Sequence, residues 1–125
     1  AEPNYKPIIL GESITTYLTE NYPAAVIIDV ASSTGITEVD IMDGTTLREI
    51  YFDGKEAWLM TESRITVAEL PEIVIETIAA SQYAAWEITQ AEYVENPNGA
   101  YYQVTLTGEG GQETMKINIE GRILQ

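Results

Sequence analysis

Cysteine and histidine are both missing from the 125 residues. Without cysteine there is no disulfide, no thiolate nucleophile and no thiolate-bound zinc. Without histidine the chain lacks the commonest general base and the commonest metal ligand. Basic residues are scarce too, six against twenty acidic ones, for a net charge of −14. Polyanions are held by clusters of Lys and Arg, so nucleic acid is not an expected partner. Anionic membrane surfaces are excluded on the same ground. No apolar run reaches the roughly 20 residues that span a bilayer. The longest, "AAVIIDVA" and "VIETIAASQYAAW", are interrupted by charge, so membrane insertion is not expected.

What is present is ordinary globular material: 45% apolar residues in a length normal for one domain. The acids are spread along the chain, which reads first as solubility and second as attraction to a basic partner. The start "AEPNYKP" has no initiator Met and no signal layout. It reads as a mature or trimmed N-terminus, which export with removal of a signal peptide would fit.

The chain repeats itself. "LGESITTYL" (10–18) aligns with "LPEIVIETI" (70–78), and "PAAVIIDV" (23–30) with "YAAWEITQ" (83–90), both at an offset of 60. "ITEVDIM" (36–42) then resembles "YYQVTLT" (101–107) at 65, and "IYFDGK" (50–55) resembles "INIEGR" (117–122) at 67. The offset grows only across turn-like segments, where insertions are tolerated. Each copy opens with a short helix. Ile14, Tyr17 and Leu18 mark the buried stripe of the first, and Val74 and Ile78 that of the second, which has Pro71 at N1.

After each helix the period shifts to 2. Strands are expected at 24–30, 36–42, 46–52 and 57–61, then at 85–94, 100–107, 113–119 and 122–125, parted by turns such as "MDGT", "FDGK" and "NPNG". The expected fold class is α+β: a tandem repeat of helix plus four-stranded antiparallel meander, divided as residues 1–66 and 67–125. Its helices should lie on one face of a curved sheet that is open on the other. Val26, Ile28, Val39, Ile41, Ile50 and Phe52 should face the helices, as should Trp86, Ile88, Tyr102, Val104, Met115, Ile117 and Ile119. Asp29, Glu38, Asp40, Glu87, Gln103, Lys116 and Asn118 fall on the open face.

The two Asp-Gly pairs invite a metal reading, and it fails. With Gly44 at position 6 of a calcium loop, positions 1, 3 and 12 fall on Val39, Ile41 and Ile50; with Gly54 there, positions 3 and 12 are Tyr51 and Met60. They are hairpin turns. No Ser-x-x-Lys surrounds Ser13, Ser32, Ser33, Ser63 or Ser81, and "GEGG" lacks the Lys and the following helix of a phosphate loop. With twenty acids, a carboxylate pair at glycosidase spacing is expected by chance. The chain is expected to be no enzyme and to need no cofactor and no metal.

Tyr22-Pro23-Ala24, Phe52-Asp53-Gly54 and the closing Trp58, echoed by Tyr83-Ala84-Ala85 and Ile119-Glu120-Gly121, resemble the PepSY-like, beta-lactamase-inhibitor-like family over residues 8–125. The second copy lacks the Pro after Tyr and the closing Trp. The resemblance implies an exported, periplasmic or secreted protein of a Bacteroides-type bacterium, with a concave sheet and no reaction of its own. The expected function is a non-catalytic envelope module that binds or inhibits a protein partner, such as a peptidase or other enzyme; the alternative is a small-ligand or cation-binding envelope protein. The expected contact residues are Trp58, Tyr51, Tyr101, Ile27 and Leu47. An even-numbered turn after Phe52 puts Trp58 on the open face, whereas an odd one buries it under the helix.

Overall fold

The computed structural model describes residues 9–124. Two helices and eight strands make an α+β fold: α1 (Glu12–Asn21), β1 (Val26–Ser33), β2 (Ile36–Asp43), β3 (Thr46–Phe52), β4 (Trp58–Ile65), a short 3-10 turn (Val67–Glu69), α2 (Glu72–Ala79), β5 (Glu87–Asn96), β6 (Gly99–Gly108), β7 (Gly111–Asn118) and β8 (Ile123–Leu124). The strands are neighbours in strict chain order, antiparallel. No helix among the described residues is long and apolar enough to cross a membrane. The chain divides into two compact units, with the boundary between Met60 and Thr61, inside β4. Thr61–Ile65 belong with the second unit because they pair with Ala91–Glu95 of β5. The division expected after residue 66 lies just beyond the end of β4.

In the first unit α1 buries Ile14 and Leu18 against Val39, Ile41, Ile50 and Phe52. Few good helix formers hold α1, so this packing must. Its N-terminus is tied down from a distance: the Ser13 and Ile14 N–H groups donate to Glu56 Oε1 at 3.1 and 3.3 Å. Glu56 reaches there from a left-handed backbone, φ 65°. Position 11 is a glycine because a Cβ would collide with the Glu56 carboxylate. In the second unit α2 buries Val74 and Ile78 against Ala91, Val104, Leu106, Met115 and Ile117. Pro71 stands one residue earlier than expected, at the N-cap.

The turns after β3 and β7 share one hydrogen-bond pattern. The Asp53 N–H donates to the Ala57 carbonyl and Glu56 N–H to the Asp53 carbonyl; Asn118 with Arg122, and Gly121 with Asn118, do the same. Asp53 Oδ1 accepts from the Lys55 and Ala57 N–H groups, and Asn118 Oδ1 from those of Glu120 and Arg122. Asp53 therefore corresponds to Asn118, and Glu56 (φ 65°) to Gly121 (φ 87°). That offset is 65 rather than the 67 expected from matching "FDG" to "IEG". Ile119 consequently lies in the turn and is exposed instead of facing the helix.

Two face assignments also change. In β1 the pairing passes from Ile27↔Ile41 to Asp29↔Asp40, leaving Ile28 as the extra residue of a bulge. Ile27 thus shares the helix side with Ile41, and Val26 moves to the open side opposite Met42. The second correction is Trp58. Because Asp53 pairs with Ala57, three residues separate them, an odd number, and Trp58 falls on the helix side. It stacks on Tyr17 of α1 at 5.9 Å, and Tyr17 meets Phe52 edge-on at 5.5 Å.

Candidate functional site

The side of β1–β3 that faces away from α1 collects acid. Alternation along β2 puts Glu38 and Asp40 there, either side of inward-facing Val39. Register then places Asp29, Asp40 and Glu49 in one row across three strands, and Ala31, Glu38 and Tyr51 in the next. Like charges directly opposite one another are destabilising in a sheet, yet these two rows hold four carboxylates and no Lys or Arg. Carboxylate oxygens of Glu38, Asp40 and Glu49 all lie within 4.8 Å of one another. Such a set of oxygen donors suits a hard divalent cation or a single ammonium or guanidinium group.

The crowding shows in the protonation of the site. A hydrogen bond to Asp40, burial, and the negative charges of Asp40 and Glu49 push the Glu38 carboxyl up to about 7. Asp40 Oδ1 is buried without a hydrogen-bond partner. The folded chain therefore keeps a proton on Glu38 that the unfolded chain releases above about pH 4.5. Stability should fall as pH rises from about 5 to 8, by about 1–2 kcal/mol after allowance for solvent screening. Glu38→Gln should flatten that part of a urea-midpoint-against-pH curve and be the more stable form at pH 8. An unchanged slope in Glu38→Gln would assign the pH dependence elsewhere.

The corresponding side of the second unit is balanced. Arg64, Glu92, Gln103 and Lys116 form one cross-strand row. Gln103 Nε2 donates to Glu92 Oε1 at 3.3 Å, and Lys116 Nζ sits 5.5 Å from the Tyr101 ring centre. This side is not uniformly wet: Val94, opposite Tyr101 and Glu62, is fully buried.

Of the expected contact residues, Tyr51 and Leu47 do stand on the open side of β3, opposite Glu38 and Met42. Tyr101 stands on the open side of β6, opposite Asn118. Trp58 and Ile27 are on the helix side, as described. The acidic group itself was missed as a site, although its signal was present: counting back from the two-residue turn Gly44–Thr45 pairs Asp40 with Glu49.

Several solved structures share this fold. A BLIP-like protein from Bacteroides fragilis is 24% identical, with a TM-score of 0.84 over 98% of this chain and 86% of its own. A DUF2874 family protein from Bacteroides uniformis is 19% identical, with a TM-score of 0.84 over 94% and 88%. A candidate periplasmic protein from Bacteroides eggerthii is 17% identical, with a TM-score of 0.82 over 94% and 87%. Among proteins with curated descriptions no sequence matches. The family model for beta-lactamase-inhibitor-like, PepSY-like proteins matches residues 35–125, a span that takes in β2 and every later element. The chain belongs to that PepSY-like family.

Proposed function

We propose that this protein is a non-catalytic binding module of the cell envelope, which holds a basic side chain of a protein partner on the open side of β1–β3. The observation that carries this reading is a Glu38 that crowding by Asp40 and Glu49 keeps protonated up to about pH 7, in two cross-strand rows that hold no Lys or Arg. A lysine or arginine arriving there supplies the opposite charge that lets Glu38 ionise, so binding and proton release are coupled. Tyr51 and Leu47 flank the acids and offer the apolar contact that anchors an interface. Family membership and the Bacteroides eggerthii neighbour support the envelope setting. The paired Asp53 and Asn118 turns support two copies of one helix-and-meander unit, 1–66 and 67–125, of which the first carries this site.

The test is affinity capture from a periplasmic extract with wild type and the Glu38→Gln, Asp40→Asn double variant side by side. A protein retained by the wild type and lost with the double variant bears the reading out. Identical retention by both excludes this surface. The second reading is a divalent-cation site, favoured by three carboxylates within 4.8 Å. Stoichiometric calcium binding in calorimetry, abolished by the same double variant, would favour it. Turnover lost on substitution of one of these carboxylates would overturn the non-catalytic assignment.

A further inference from the structure

Among the described residues β1 pairs with β2 alone and ends the strand order, so none of them covers its outer edge. Three consecutive apolar side chains stand on it in solvent: Val26 is 64% exposed, Ile27 46% and Ile28 53%. An edge of this kind offers a row of unpaired main-chain groups to any strand that can lie beside it. On the helix side, a groove of about 140 Å³ runs between α1 and the start of β1, lined by Leu18, Tyr22, Pro23, Ala25 and Ile27. On the other side the edge presents exposed Asp29, opposite Asp40.

We propose that the β1 edge accepts an extended segment of a partner protein as an added strand, one in which apolar and basic residues alternate. Side chains of an added strand point alternately to the two sides of the sheet. Those on the helix side meet the apolar groove, and those on the open side meet Asp29 and Asp40. Main-chain hydrogen bonds then supply affinity, and the alternation supplies selectivity. Charge decides the occupant. A second copy of this chain, at −14, would bring its own Asp29 to the same acidic edge, and like-charge contacts of that kind reject a partner. The bulge at Ile28 twists the edge and interrupts its register, which limits chain-on-chain stacking while leaving 29–33 regular. This site shares Asp40 with the open-face reading and goes beyond it, adding the β1 main-chain edge, Asp29 and the groove.

The experiment uses the full chain and an acetylated, amidated peptide of about eight residues in which Val and Lys alternate, long enough to run along β1. Two control peptides are four Val followed by four Lys, and alternating Val and Glu. The alternating Val–Lys peptide should bind saturably at one to one and slow hydrogen exchange of the β1 amides. Asp29→Lys, a change at an exposed position, should weaken it by about tenfold. Equal binding of the segregated peptide would overturn the proposal, as would protection confined to β2 and β3. Concentration-dependent protection of β1 without peptide would also overturn it, by assigning the edge to a second copy.

Discussion

Trp58→Ala is expected to lower folding stability by about 3 kcal/mol, seen as a lower urea midpoint with an unchanged slope. The indole lies against Tyr17 with the two rings 18° from parallel, and Tyr17 in turn meets the buried Phe52 edge-on. Removing it takes away the ring stacked on Tyr17 and opens the flank of the core that holds α1 down. Trp58 is half-buried rather than fully covered, which puts the cost at the low end of the range of about 3–5 kcal/mol for truncating a large aromatic. Trp58→Phe should recover part of the loss. A cost below about 1 kcal/mol, as at an exposed position, would mean that the ring does not pack on α1 in solution.

Gly108→Ala should cost about 2 kcal/mol for the opposite reason, overpacking. A Cβ at residue 108 would fall 2.5 and 2.6 Å from Cε2 and Cγ of Trp86, closer than any real side chain tolerates. The indole would have to swing away, breaking its edge-on contact with Tyr83 at 4.9 Å. Changed near-ultraviolet circular dichroism from Trp86, with far-ultraviolet signal retained, should accompany the loss. A neutral substitution with unaltered near-ultraviolet signal would show that the ring has room to spare.

The elements themselves were legible because their signals are local. Both helices and all eight strands follow from a change of period and from Gly, Pro and Asn at the turns. Which side Trp58 takes was not legible, because it depends on whether the loop after Phe52 is odd or even. The residue that decides this, Glu56, adopts a left-handed backbone without being Gly or Asn. Its compensation comes from the α1 N-terminus, 43 residues away in sequence, and no local pattern reveals it. The β1 bulge is equally silent, since Ile28 is β-branched and apolar like its neighbours. The likeness of the two turns was misread for the same reason: both are built on a side-chain acceptor, Asp53 and Asn118, so matching Asp-Gly to Glu-Gly places the second turn two residues late. At the acidic site the positions could be counted from the Gly44–Thr45 turn, but the raised Glu38 proton affinity needs the three-dimensional crowding.

Strand neighbours in strict chain order shape how fast the molecule is made as well as what it looks like. Each hairpin closes over a few residues, an event of about 1–10 μs, and zips without waiting for distant chain. The long closures are the pairing of β4 with β5 across α2, and those that bring each helix to its last turn: Ser13 to Glu56 spans 43 residues, and Thr77 to Gly121 spans 44. Folding should therefore proceed sheet first, with helix docking as the late step in both units and at similar rates. Contacts made late weigh on the escape rate rather than the arrival rate. Losing the Trp58 platform should leave refolding speed nearly unchanged and shorten the lifetime of the native state.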